Sequence, residues 1–127
     1  MHCIGCAGGR VKIGFQTVLK LLRAACTTVI VTSRFPVDTA LRLRAAAEAE
    51  SNSSHATVSG VITLRQALDE GRCVVYGLDL RDQLGLEAFI AEIKRRFSRI
   101  DILVNNATQV RKPYGQYLGY DLFAYSP

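Results

Sequence analysis

The chain has 127 residues, fewer than an average domain of roughly 150, so one domain is expected. Apolar residues make up 49% and charged ones 21%, ordinary globular usage that excludes disordered, collagenous and low-complexity chains. Sixteen basic residues against eleven acidic ones give a net charge of +5, a moderate surplus that directs attention to phosphate-bearing ligands before nucleic acid.

The first predicted strand, Cys3–Cys6, is short and runs into Ala7-Gly8-Gly9-Arg10-Val11-Lys12-Ile13-Gly14. Beyond it Phe15, Val18, Leu19 and Leu22 recur at helical spacing, a stripe that faces a core. Thr28–Thr32 reads as a buried strand, ended by Ser33-Arg34-Phe35-Pro36. Val37–Glu50 is an alanine-rich helix with Asp38 as its expected N-cap. Ser51–Ser54 interrupts the pattern, and Ser59–Glu70 reads as a weaker helix. Cys73–Leu78 is the third strand. Asp82 caps a helix whose apolar stripe is Leu86, Phe89, Ile90, Ile93 and Phe97, and Ile100–Asn105 is the fourth strand. Residues 108–127 form a tail in which Tyr114, Tyr117, Tyr120 and Phe123 recur every third residue, read as a packing segment.

Strands alternating with helices imply βαβ units and a parallel sheet. The expected architecture is α/β, a Rossmann-like three-layer α/β/α sandwich over residues 1–107 with four strands in the order 3-2-1-4. No apolar run approaches the roughly 18 residues of a membrane span, and Met1–Gly9 lacks the pattern of a secretory signal. Cytoplasm is the default expectation.

The four cysteines, Cys3, Cys6, Cys26 and Cys73, read as structural thiols. Cys3 and Cys6 make a C-x-x-C, but a zinc site needs a second pair, and His2 and His55 stand in unsuitable settings. Neither histidine suits a Ser-His-Asp triad, and no H-E-x-x-H or Walker A sequence occurs.

The sharpest feature is the glycine loop. A helix N-terminus presents unpaired N–H groups and partial positive charge, so a pyrophosphate docks there. Gly8 permits the tight turn, and Gly14 lets the helix approach the sheet or a ligand closely. At the end of the second strand, an NAD site places an acid that accepts from the ribose 2′-hydroxyl. Here the sequence is Thr32-Ser33-Arg34, with no acid before Asp38. Arg34 suits a 2′-phosphate, Ser33 adds a hydroxyl donor, and Arg10 in the loop reaches towards the same group. With Lys12 these residues favour NADP over NAD. The arginines are scattered over several helices, which argues against nucleic acid.

Three motifs in order make the chain resemble the short-chain dehydrogenase/reductase family. Ala7–Gly14 is similar to the family's T-G-x-x-x-G-I-G, with Gly8, Ile13 and Gly14 in place. Asp79-Leu80 resembles the pair that holds the adenine ring through a carboxylate and backbone. Asp101–Ala107 resembles the D-I-L-V-N-N-A-G signature, and the resemblance implies that Asn106 secures the sheet beside the nicotinamide ribose. Ala7, Lys12 and Thr108 depart from the pattern, standing where the family has Thr, Gly and Gly.

Family catalysis uses a Tyr with a Lys four residues on, the Lys lowering the tyrosine pKa and positioning the ribose. No tyrosine in this chain has that lysine. The expectation is the NADP(H)-binding portion of such an oxidoreductase, truncated and unable alone to transfer hydride. The alternative is a non-catalytic nucleotide- or partner-binding module. In either case the fourth strand would be an apolar sheet edge prone to self-association.

Overall fold

A computed structural model describes residues 3–24, 28–52 and 62–107. The aromatic tail, Thr108, His2, His55 and Cys26 lie outside the described residues, as do the side chains of Cys3 and Cys6.

The elements follow the expected alternation. They are β1 (Cys3–Ala7), α1 (Lys12–Arg23), β2 (Thr28–Ser33), α2 (Pro36–Asn52), α3 (Leu64–Asp69), β3 (Cys73–Gly77), α4 (Gln83–Arg96) and β4 (Ile102–Asn105). The sheet runs β3-β2-β1-β4, every pair parallel, with Ile4 opposite both Val29 and Ile102. That order is the expected 3-2-1-4.

The handedness of βαβ crossovers divides the helices between the faces. β2 is buried along nearly all its length, and its alternation serves two cores. Val29 and Val31 point into the larger one, with Val18, Leu19 and Leu22 of α1, Leu43 and Ala47 of α2, and Leu64 and Ala67 of α3. Ile30 points the other way, onto Ile93 of α4, with Tyr76, Phe89 and Phe97 around them. Glu50 joins three helices: its carboxylate accepts from Arg23 Nε at 2.7 Å and from the Leu64 N–H at 2.6 Å.

Several local expectations need correction. α2 starts at Pro36, so Asp38 lies in the first turn and is not the N-cap. Proline suits a first helical position because its missing N–H would be unpaired there anyway. α3 begins only at Leu64, where the Thr63 side chain accepts from the Gln66 N–H. On α4, Ile93 is buried but Ile90 is 43% exposed, so the apolar stripe is narrower than its spacing suggested. β3 ends at Gly77 and β4 starts at Ile102, each shorter than expected. β4 is an edge among the described strands, with Ile102 and Leu103 exposed.

Candidate functional site

A parallel sheet leaves a crevice beyond the carboxyl ends of its strands, where the strand order reverses. Here the reversal falls at β1, which has β2 on one side and β4 on the other. A cleft of about 760 Å³ opens at that edge, a volume typical of small-molecule sites. Gly8, Arg10, Lys12, Ile13, Ser33, Arg34, Asp79, Leu80 and Asn106 all line it. Gly14, the remaining residue singled out in the sequence, does not; it lies beneath the loop.

The floor is the glycine loop, and backbone bonds fix it. The Gly8 and Gly9 N–H groups both donate to the Thr32 carbonyl, at 3.1 and 3.3 Å, hooking the loop onto β2. Gly8 has φ +75°, a left-handed conformation that costs glycine little. Asn106, just past β4, donates from Nδ2 to the Gly8 carbonyl at 3.0 Å. A Cβ at Gly14 would stand 2.4 Å from both members of that bond, so Gly14 allows α1 to close on the end of β4. No side chain caps the α1 N-terminus: Val11 occupies the N-cap position with an extended backbone and makes no side-chain cap bond. Lys12 follows with φ +55°, a conformation that favours glycine.

The second wall comes from the end of β2. Ser33 is buried, and its Oγ accepts from the Phe35 N–H at 3.0 Å, leaving the hydroxyl proton to donate. Phe35 is flanked by two guanidinium groups, Arg10 at 4.8 Å and Arg34 at 5.7 Å from its ring centre. Arg10 is not a free cation: it donates to Asp38 Oδ2 at 3.1 Å, and Arg42 Nε reaches the same oxygen at 2.9 Å. These hydrogen bonds, first Arg42 and then Arg10, hold the Asp38 carboxyl below the usual carboxylate range. Asp38 is thus committed to two arginines.

The third wall follows β3. Asp79 accepts from the Arg81 N–H at 3.0 Å, closing an Asx turn, and from Arg81 Nε at 2.9 and 3.1 Å on its two oxygens. Arg81 Nη2 completes a fork on the same carboxylate. Those bonds, with the charge of Arg34 a smaller influence, keep the Asp79 carboxyl far below its ordinary value.

Residues 38–118 match the family of short chain dehydrogenases. The chain belongs to the short-chain dehydrogenase family. The matched stretch of this short-chain dehydrogenase covers Asp79-Leu80 and the whole Asp101–Ala107 run, and it starts after the glycine loop. No curated protein matches. Among solved structures, the chain is similar to a tyrosine-to-phenylalanine variant of ElxO with NADPH bound, at 26% identity and a TM-score of 0.58, over 87% of this chain and 36% of that one. It has the same fold as YwfH, an NADPH-dependent reductase involved in bacilysin biosynthesis, at 18% identity, TM-score 0.58, over 87% of this chain and 38% of that one. The short-chain dehydrogenase chain therefore spans well under half the length of either.

Three contributors escaped the sequence reading. Gly9 matters because a Cβ there would come within 2.5 Å of Val31 Cγ1, and the doubled glycine was the available signal. Phe35 gives the arginines a surface to rest on. Arg81 carries the Asx-turn signature of an Asp two residues earlier, legible in Asp79-Leu80-Arg81. Cys73 packs beside the larger core, where burial pushes its thiol up to about 12, an inert structural group.

Proposed function

We propose that the cleft binds NADP(H) and that the chain is the cofactor-holding portion of a short-chain oxidoreductase. The observation that carries this reading is the β2 wall. Arg34 is exposed there, and the nearest downstream acid, Asp38, is already occupied by Arg10 and Arg42. An NAD site needs a carboxylate free to accept from the ribose 2′-hydroxyl. A 2′-phosphate instead finds a guanidinium fork in Arg34 and a hydroxyl donor in Ser33. The residues fit the dinucleotide elsewhere too. The uncapped α1 N-terminus and Lys12 favour the pyrophosphate.

Once bound, NADPH would supply a hydride; the described residues bind and orient it. Gly8, Ile13 and the first turn of α1 hold the pyrophosphate, Arg34, Ser33 and Arg10 the adenosine phosphate, and Asp79 and Leu80 border the adenine end. Asn106 braces the loop from the nicotinamide side through the Gly8 carbonyl.

Calorimetric titration tests the reading. NADPH should bind more tightly than NADH, and Arg34→Ala should erase most of the difference, about ten- to hundredfold for a charge-assisted hydrogen bond. Equal or tighter NADH binding by the intact chain would overturn the cofactor assignment.

The partner expected besides the dinucleotide is a second copy, recruited through β4. Its support is the exposed apolar pair Ile102 and Leu103, 49% and 62% exposed on an edge strand. Light scattering should then show mass rising with concentration, and Leu103→Lys should suppress the rise. A monodisperse monomer at every concentration would refute it.

A further inference from the structure

We propose that Arg81 is a further phosphate-binding cation at the adenosine end of the cleft, held in place by Asp79. The inference rests on the NADP(H) reading and assigns a residue that reading does not use.

The Asp79 carboxylate holds the Arg81 guanidinium in place. Its two oxygens offer about four lone-pair sites. Oδ1 accepts from the Arg81 backbone N–H and Nε, and Oδ2 accepts from Nε and Nη2 of the same residue. The single Nε–H is shared between the two oxygens, so three protons of one neighbour, two positions along the chain, are held there. What the β3 wall presents to the cleft is therefore a guanidinium.

That guanidinium is well placed to act on an anion. Its side chain is 58% exposed, and Nη1 and one Nη2 hydrogen remain beyond the fork. The fork fixes its orientation in advance, so little rotamer freedom is lost when a ligand arrives. Arg34 borders the same cleft and is close enough to lower the Asp79 pKa by its charge. Two guanidinium groups around one carboxylate leave a net charge of about +1, and a phosphomonoester carries close to two negative charges near neutral pH. A ribose 2′-phosphate matches this cluster better than a 2′-hydroxyl does.

A titration of the 127-residue chain tests the assignment without any turnover. It compares 2′,5′-ADP with 5′-AMP, since the ratio of the 5′-AMP dissociation constant to that of 2′,5′-ADP isolates the 2′-phosphate. Arg81→Gln should lower that ratio about tenfold while leaving 5′-AMP within twofold, and Arg81→Lys should restore part of it. An equal loss for both ligands would instead mark a role in stacking or folding and would overturn the phosphate assignment. If Arg81→Gln leaves the ratio unchanged while Arg34→Ala lowers it, this inference fails and the NADP(H) reading stands. If the wild-type chain binds none of these nucleotides, both fall together.

Discussion

Gly14→Ala is the substitution whose consequence follows most directly from the geometry. On an exposed helix the change would stabilise by about 1 kcal/mol, because alanine is the better helix former. Here the added Cβ meets Asn106 Nδ2 at 2.4 Å and the Gly8 carbonyl oxygen at 2.4 Å. The amide could swing away, but the carbonyl is backbone, held in a loop whose N–H groups are tied to Thr32. α1 must therefore move off the end of β4, at an overpacking cost of about 1–3 kcal/mol. The Asn106–Gly8 hydrogen bond is lost or stretched in the process, about 1 kcal/mol more. After the propensity gain, the net is a destabilisation of about 1–3 kcal/mol. For a chain this size, each kcal/mol corresponds to about 4 °C in Tm, so a drop of about 4–12 °C is expected. Thermal melts and urea titrations followed by circular dichroism measure it. Asn106→Ala alone should lose only about 1 kcal/mol. Adding it to Gly14→Ala should not restore stability, since the contact with the Gly8 carbonyl remains. A Gly14→Ala chain as stable as the wild type, or full rescue by Asn106→Ala, would refute the reasoning.

Two further outcomes are expected. Lys12→Gly relieves a side chain held at φ +55° and should raise the urea midpoint by up to about 1 kcal/mol of stability, yet weaken dinucleotide binding by removing a cation from the cleft; a lower midpoint would contradict the first half. Because burial raises the Cys73 thiol to about 12, its contribution to stability is complete below the unfolded thiol pKa, about 8.5–9. Stability should then fall as pH rises from that value towards 12, with Cys73 resisting alkylation at pH 8. Rapid labelling of the folded chain at Cys73, read by peptide mass, would count against it.

Much of the architecture was legible because its signals are local or periodic. The β-branched run Thr-Val-Ile-Val-Thr at residues 28–32, the stripe Val18, Leu19 and Leu22, and the Asp82 cap each report one element with little help from the rest. The alternation of those elements implies a parallel sheet, and reading them as one half of a doubly wound fold supplied the strand order. Residue types at the strand ends likewise brought the candidate cleft together: a glycine loop, Ser33-Arg34, Asp79-Leu80 and Asn106 lie at carboxyl ends that a parallel sheet gathers on one edge.

What the tertiary structure alone decided is how the charged side chains are shared. Nothing in the spacing of Arg10, Asp38 and Arg42 says that one carboxylate takes both arginines, because a 28-residue separation is bridged only after α1 and α2 pack on the same face. Lys12 reads in sequence as added bulk and charge, and only the folded backbone shows it in a conformation suited to glycine. The requirement for Gly14 comes from a residue 92 positions later in the chain, Asn106 (106 minus 14), and from the Gly8 carbonyl. Sequence pattern names the groups that can meet a ligand, since each strand end is specified locally. Which of those groups are already spent on one another depends on distances of a few ångströms between remote segments, and packing sets those distances.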